Sequence, residues 1–295
     1  MQKEFDKILV GLIPEGETAL LAVSGGADSI CMAELFAHSS WKGDIAVAHC
    51  NFHLRGEESD ADAKLVRCWA ASHGVVFHSV DFDTERYASE HSQSIEMAAR
   101  ELRYDWFASL CLKHGYYAVS VAHNANDNAE TLMLNLLRGT GLRGITGMKP
   151  VSNVPVSQQS LEGVRLVRPL LAFSRDRINA FVNECHAEYH DDRTNAETIY
   201  KRNKIRHLVF PVFESLNPSF LKTFGREMRA FAQENAIAED YFNAAKPRVC
   251  AMPEAGECLR VNVSALRKET HWEYILYRLL EPFGFRSATL DPVMS

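Results

Sequence analysis

An α/β fold, with a parallel doubly wound sheet followed by a smaller, mainly helical domain, is predicted by three observations. Short apolar runs alternate with helix-like stretches through the first half of the chain, glycines stand just past the helix ends, and from about Asn217 the pattern becomes helical and aromatic. The runs Ala19–Val23, Ile45–Cys50, Val75–Val80 and Tyr117–Ala122 are short, β-rich and mainly apolar, as strands covered on both faces should be. Between and after them, Asp28–Ser39, Glu57–His73, Ser94–His114 and Asn126–Arg138 read as helices. Gly74, Gly115 and Gly139 fall where a left-handed cap requires a residue without Cβ. Strand alternating with helix implies right-handed crossovers and helices on both faces of the sheet. Such sheets bind ligands beyond the carboxyl ends of their strands, so the residues following Val23, Cys50 and Ala122 are the first candidates for chemistry.

Lys149–Gly163 is polar, holds two prolines and reads as a loop. Asn217-Pro218 then forms an N-cap with a first-position proline, followed by Phe220, Phe224, Met228 and Phe231 at helical spacing. Ser264 is placed to cap a last helix whose apolar face is Trp272, Ile275, Leu276 and Leu279. The expected division is therefore a first domain over residues 1–216 and a helical one over 217–295.

Composition sets the outer bounds. The 295 residues are 46% hydrophobic and 24% charged, and Lys+Arg 32 against Asp+Glu 38 gives a net charge of −6, which excludes a uniformly basic nucleic-acid wrapper but not a local basic patch. The amino terminus, MQKEFDKILVGLIPEGE, lacks a basic stretch followed by a long apolar one, so neither a secretory leader nor a membrane span is expected. The seven cysteines are scattered, with no C-x-x-C pair, and fit reduced thiols in a cytoplasmic protein.

Ser24-Gly25-Gly26-Ala27-Asp28-Ser29 stands where the first strand gives way to the first sheet-covering helix. Adjacent glycines let the backbone turn tightly and present successive N–H groups to an anion, and the helix N-terminus adds its own unpaired donors. Ser24 and Ser29 offer hydroxyls. Asp28 is out of place beside phosphate unless a cation lies between them, and Mg²⁺ is the natural one. The loop matches neither G-x-x-x-x-G-K-[ST] nor G-x-G-x-x-G. As a whole, S-G-G-x-D-S resembles the pyrophosphate loop of the N-type ATP pyrophosphatases, which cleave ATP between its α and β phosphates and adenylate a carbonyl or amide-type oxygen.

After the fourth strand comes His123-Asn124-Ala125-Asn126-Asp127-Asn128-Ala129-Glu130-Thr131. Asp127 and Glu130 are three apart, so both project from one helix face, suited to an ammonium group or Mg²⁺. Around Arg193–Arg206, five basic residues (Arg193, Lys201, Arg202, Lys204, Arg206) against Glu197 make a local patch suited to an RNA backbone or a triphosphate.

These blocks bring a closer likeness. AHNANDNAETLMLNLLRGTGLRGITGM (Ala122–Met148) resembles the signature of tRNA(Ile)-lysidine synthetase, with Asn126 where the family often has the first aspartate of H-x-x-D-D-x-x-E-T. His49-Cys50-Asn51-Phe52-His53-Leu54-Arg55-Gly56 is similar to its H-x-N-H-x-L-R element, with a difference around Phe52. Glu96-Met97-Ala98-Ala99-Arg100-Glu101-Leu102-Arg103-Tyr104 is similar to its E-x-x-A-R-x-x-R-Y helix. Asp192-Arg193-Thr194-Asn195 and Arg202-Asn203-Lys204-Ile205-Arg206, with Pro211, resemble its D-x-x-N…R-N-x-I-R…P tract.

The resemblance implies a two-step reaction on an isoleucine tRNA precursor. O2 of the wobble cytidine attacks the α-phosphate of ATP and releases pyrophosphate; the ε-amine of free lysine then attacks C2 and expels AMP, leaving lysidine. Carried onto this chain, Ser24 to Ser29 bind the pyrophosphate, Asp28 holds Mg²⁺, Asp127 and Glu130 bind lysine, and Arg206 acts with Asp28, Asp127 and Glu130 in the chemistry. His53, Arg55, Arg100, Arg103, Arg202, Asn203 and Arg206 position the nucleotide or the tRNA. The expected partners are tRNA (through its anticodon loop), L-lysine and ATP, with no membrane, and a homodimer is left open. Longer family members carry a further C-terminal domain, so the chain is expected to be a short or truncated form. Three rivals stand beside this reading: a tRNA cytidine thiolase, for which no paired cysteines exist; an ammonia-dependent ligase, for which there is no glutaminase domain; and an inert nucleotide- or RNA-binding module.

Overall fold

The computed structural model describes residues 1–54, 56–190, 201–251 and 258–285, with Lys201 by its backbone alone. Arg55, the Asp192–Asn195 block, the Lys201 side chain and the end Ala288–Ser295 lie outside the described positions. Contacts divide the chain into two compact units. The first comprises Met1–Glu130 and Met148–Leu221; the second combines Thr131–Gly147 with the described residues from Lys222 onward. The second unit therefore draws on two separate stretches of sequence.

The first unit begins with α1 (Gln2–Leu12), which buries Phe5 and Leu9. Four strand–helix steps follow: β1 (Thr18–Ala22), α2 (Ala27–Ala37), β2 (Asp44–Asn51), α3 (Glu57–Ser72), β3 (Val76–Asp81), α4 (Thr84–Glu90), α5 (Ile95–His114), β4 (Ala118–Ser120) and α6 (Ala125–Arg138). The sequence-predicted strands and helices stand within one or two residues of these bounds. The three cap glycines have left-handed φ of +64° at Gly74, +73° at Gly115 and +76° at Gly139, a region closed to most side chains.

After α7 (Leu142–Ile145), two short strands appear: β5 (Val151–Asn153) and β6 (Arg165–Val167). The expected loop Lys149–Gly163 thus carries an edge strand. Three residues are too few to show a period in sequence, and only antiparallel pairing with β6 makes β5 a strand. The sheet order is β3-β2-β1-β4-β6-β5, parallel except at that edge.

Alternation along β1 assigns its two faces. Ala19 and Leu21 join a core with Ile30, Met32 and Leu35 of α2 and Val66 of α3. Leu20 points the other way, into a core with Tyr104, Phe107 and Ala108 of α5. Each fully buried leucine contributes about 1.5–3 kcal/mol relative to exposure. Next come α8 (Arg175–Glu184), capped by the Ser174 side chain, and α9 (Lys201–Lys204), a π-helical turn over Ile205–Val209, and α10 (Phe210–Leu216).

α11 (Phe220–Val249) starts three residues after Asn217, whose Oδ1 accepts the Ser219 N–H at 3.0 Å. In the second unit it is followed by a hairpin, β7 (Cys250–Ala251) with β8 (Arg260–Val261), then α12 (Val263–Leu266) and α13 (Trp272–Leu280). Ser264 lies inside α12, which Asn262 caps by accepting the Ala265 N–H at 3.0 Å, and the last helix, α13, starts instead after His271, without a side-chain cap. Ile275 and Leu279 of the expected apolar face are buried with Phe242, Val249 and Leu266, and Trp272 and Leu276 pack against them. Among the described residues, no helix is long and apolar enough to cross a membrane.

Candidate active site

The strand order reverses at β1. The chain runs outward from β1 to β3, then returns to place β4 on β1's other side. A crevice opens at such a switch point, beyond the carboxyl ends of the two diverging strands. Here it is a cavity of about 570 Å³ lined by Ser24, Gly26, Asp28, His123, Asp127 and Arg206, among others. The phosphate loop after β1 and the acidic helix start after β4 thus face one space.

The loop is braced from within. Gly26 is the N-cap of α2, and its carbonyl accepts the Ile30 N–H at 3.0 Å. The Ser29 hydroxyl donates to that same carbonyl at 2.9 Å and accepts the N–H groups of Ser24 and Gly25 at 3.1 and 3.2 Å. Ser29 is buried and its single proton is already directed at Gly26, so its geometry is that of a brace rather than an anion donor. Ser24 is exposed at the rim. The helix's own ladder leaves the amides of Ala27, Asp28 and Ser29 as first-turn donors.

Asn124 and Asp127 cap α6 reciprocally. Asn124 Oδ1 accepts the N–H groups of Asn126 and Asp127 at 2.9 and 3.1 Å, and Asp127 Oδ2 accepts the Asn124 N–H at 3.0 Å. Asn126, which stands where the resembled signature often has an aspartate, accepts the Arg175 N–H at 3.0 Å through Oδ1, a bond that needs no charge. Arg175 was not foreseen. Its Nη2 lies 3.3 Å from Asp28 Oδ2 and 3.5 Å from Asp127 Oδ1, joining the two acids. No local pattern shows that the Arg175 side chain reaches Asp28, 147 positions away.

Burial raises the Asp28 carboxyl above the ordinary range, Arg175 opposes this, and Asp127 reinforces it. Asp28 Oδ1 is buried without a hydrogen-bond partner. An orphaned carboxylate oxygen beside a second acid and an anion cradle fits a divalent cation.

Glu130 lies behind this surface, 1% exposed, with Arg206 Nε donating to its Oε1 at 2.8 Å. Burial raises its carboxyl, and Arg206 pulls it back. Arg206 also approaches Asp127 Oδ1 at 3.9 Å, and it is Arg206, not Glu130, that reaches the cavity. The π-helical turn carries both Arg206 and His207 to the cavity wall. His123 lines the cavity too, its imidazole held down to about 4 by burial, partly offset by Asp127.

The remaining sequence candidates separate. Arg103 lines the cavity, its guanidinium 5.1 Å from the Phe52 ring centroid. Arg100 is exposed, over Tyr104 at 4.9 Å. His53 is half exposed, its Nε2 3.0 Å from Asp81, and is not among the cavity-lining residues. Arg202 is exposed and Asn203 buried on α9. His190 and Asp62, neither of them a sequence candidate, contact the phosphate loop, Asp62 from within α3 and His190 from the segment after α8.

A glycine loop opens α2 and faces an acid-capped helix across the switch point of a doubly wound sheet. The sequence pattern of the PP-loop domain matches residues 1–213, and the chain belongs to that family. Within it, the chain is homologous to proteins named tRNA(Ile)-lysidine synthase. It is 38% identical over 284 residues to that of Parabacteroides distasonis, covering 96% of this chain and 61% of the relative. It is 40% identical to that of Porphyromonas gingivalis, covering 93% and 57%, and 42% to that of Chlorobaculum tepidum, covering 69% and 59%. The chain thus spans about 60% of the length of these relatives. The fold is also similar to that of a U34-tRNA thiolase from Methanococcus maripaludis, with a TM-score of 0.60, 16% identity and 78% of each chain covered.

Proposed function

We propose that this chain carries out the lysidine-forming reaction, joining free lysine to C2 of the wobble cytidine of an isoleucine tRNA precursor at the expense of ATP. One observation carries the reading: the phosphate loop, Asp127 and Arg206 line one cavity at the sheet's switch point, with Glu130 buried behind Arg206. ATP lies with its pyrophosphate portion over the Gly26 amide and the first turn of α2. The cytidine O2 attacks the α-phosphate, and the bridging oxygen leaves with its electron pair on pyrophosphate, where fixed amides stabilise the growing charge without reorganising. Asp28 and Asp127 are the residues that would hold Mg²⁺, which when bound screens the phosphate charge from the two acids.

In the second step Asp127 orients the lysine amine toward C2, and AMP departs. Glu130 acts through Arg206: a buried carboxylate fixes the guanidinium, which then positions the activated base or its phosphate. Holding three reactants in register is mainly an orientation problem, and side chains fixed at strand and helix ends meet it. Arg103 with Phe52 offers a flat cationic and aromatic wall for a nucleobase. The tRNA, the lysine and a cytoplasmic setting all belong to this proposal.

Thiolation is less well supported. Cys50 is the cysteine that lines the cavity among the described residues, and burial pushes its thiol up to about 12, far from the thiolate such chemistry needs. The deciding experiment incubates the protein with ATP, Mg²⁺, unmodified tRNA and labelled lysine while AMP release is followed. Lysine-dependent AMP release with label in tRNA supports the ligase. Sulfide-dependent, lysine-independent release would favour thiolation, and no AMP at all a binding module. For the lysine site, Asp127→Ala should raise the lysine KM or lower turnover at least about tenfold; unchanged lysine kinetics would remove Asp127 from that role.

A further inference from the structure

One constellation at the phosphate loop has no part in the reaction as outlined above. Gly25 has a φ of +99°, and a Cβ added there would stand 3.3 Å from Cβ and Oδ1 of Asp62. The Gly25 carbonyl accepts the backbone N–H of His190 at 3.0 Å. The ring Nδ1 of His190 lies 2.7 Å from Asp62 Oδ1. A carboxylate only accepts, so the proton of that bond sits on Nδ1. Asp62, on α3, has a side chain 7% exposed, whereas that of His190, in the segment after α8, is 46% exposed and lines the cavity. Two hydrogen bonds and one close packing contact thus join three stretches of chain that are distant in sequence.

The consequence follows from peptide geometry. The carbonyl of Gly25 and the N–H of Gly26 belong to one planar trans unit and point in opposite directions. Holding the carbonyl on His190 therefore aims the Gly26 N–H. That N–H makes a long contact of 3.4 Å to Ser24 Oγ, weak enough to yield to a phosphate oxygen. Gly26 itself lines the cavity.

We propose that Asp62 and His190 are positioning residues for the ATP phosphates, clamping the Gly25–Gly26 peptide so that the Gly26 N–H meets the pyrophosphate portion. This rests on the reading of the loop as an ATP site and deepens it. Asp62 acts twice, packing against Gly25, whose φ of +99° already favours glycine, and anchoring the His190 ring. His190 acts through its backbone, which the ring holds in place.

The test uses the full chain, with Mg·ATP and inorganic pyrophosphate as calorimetric probes. His190→Ala removes the ring but keeps the backbone N–H. His190→Asn retains an N–H at the Nδ1 position and so retains the bond to Asp62. His190→Ala and Asp62→Ala should each weaken both probes about tenfold, leave the lysine KM unchanged, and together cost no more than either alone. His190→Asn should recover affinity to within about threefold of the unaltered chain. Unchanged affinity in the alanine variants, additive losses in the double variant, or an asparagine variant as weak as the alanine one would each overturn the clamp. Thermal unfolding checks each variant's fold; if Asp62→Ala is not folded, the His190 pair decides. If the unaltered chain releases AMP normally while the variants bind normally, the clamp alone fails. Binding of Mg·ATP without lysine-dependent AMP release would sink the ligase reading and leave the clamp standing.

Discussion

Histidine beside an acid usually gains basicity; His123 loses it. Burial outweighs the nearby Asp127 charge, and Arg168, Arg202 and Arg100 add to the depression, so the imidazole is held at about 4 and is neutral at physiological pH. Its Nδ1 is buried without a partner. The ordinary value of 6.5 lies above the folded one, so between about 4 and 6.5 the unfolded chain binds the extra proton and the folded chain does not. Stability attributable to this group is therefore full above about 6.5 and is lost as pH falls toward about 4, at up to about 1.4 kcal/mol per pH unit. Urea unfolding across that window should show a shallower slope for His123→Gln than for the unaltered chain. A ring resonance titrating near 6.5 by NMR would contradict the assignment.

Elements at this site do their work through their ends. The amino terminus of α2 leaves first-turn amides facing the cavity, that of α6 is locked by the Asn124–Asp127 exchange, and that of α8 delivers Arg175. Ser29 closes the first of these, so Ser29→Ala leaves the Ser24 and Gly25 N–H groups without their acceptor. That should cost about 1–3 kcal/mol of stability and weaken Mg·ATP binding. Ser24→Ala, at the exposed rim, should cost under about 1 kcal/mol. Differential scanning fluorimetry with titration of Mg·ATP separates the two; equal effects would show that Ser29 is not the brace. The π-helical turn at Ile205–Val209 belongs to the same class of device, since a widened turn sets Arg206 and His207 on the cavity wall.

At the scale of the molecule, the sheet reversal at β1 makes a crevice whose walls come from segments far apart in the chain. Ligand binding there is linked to global stability. Saturating Mg·ATP, at about a hundredfold over Kd, should stabilise the fold by about 2.7 kcal/mol. The shift in Tm should shrink when EDTA removes the metal, because Asp28 and Asp127 then face the phosphates unscreened. No shift at millimolar Mg·ATP would count against the phosphate site itself.

Residue order alone determined the alternation of strands and helices, the glycine caps, the loop Ser24–Ser29 and the acids Asp127 and Glu130. These depend on periods and turn chemistry that operate over a few neighbouring residues. Tertiary structure alone decided that β5 is a strand, that Glu130 is buried on Arg206, that Arg175 joins Asp28 to Asp127, and that Asp62 and His190 pack against the loop Ser24–Ser29. Each of those facts is a pairing across a dozen positions or more, fixed by which elements lie side by side. A local pattern carries no record of that, because the free energy that selects it resides in contacts formed only once the sheet has closed.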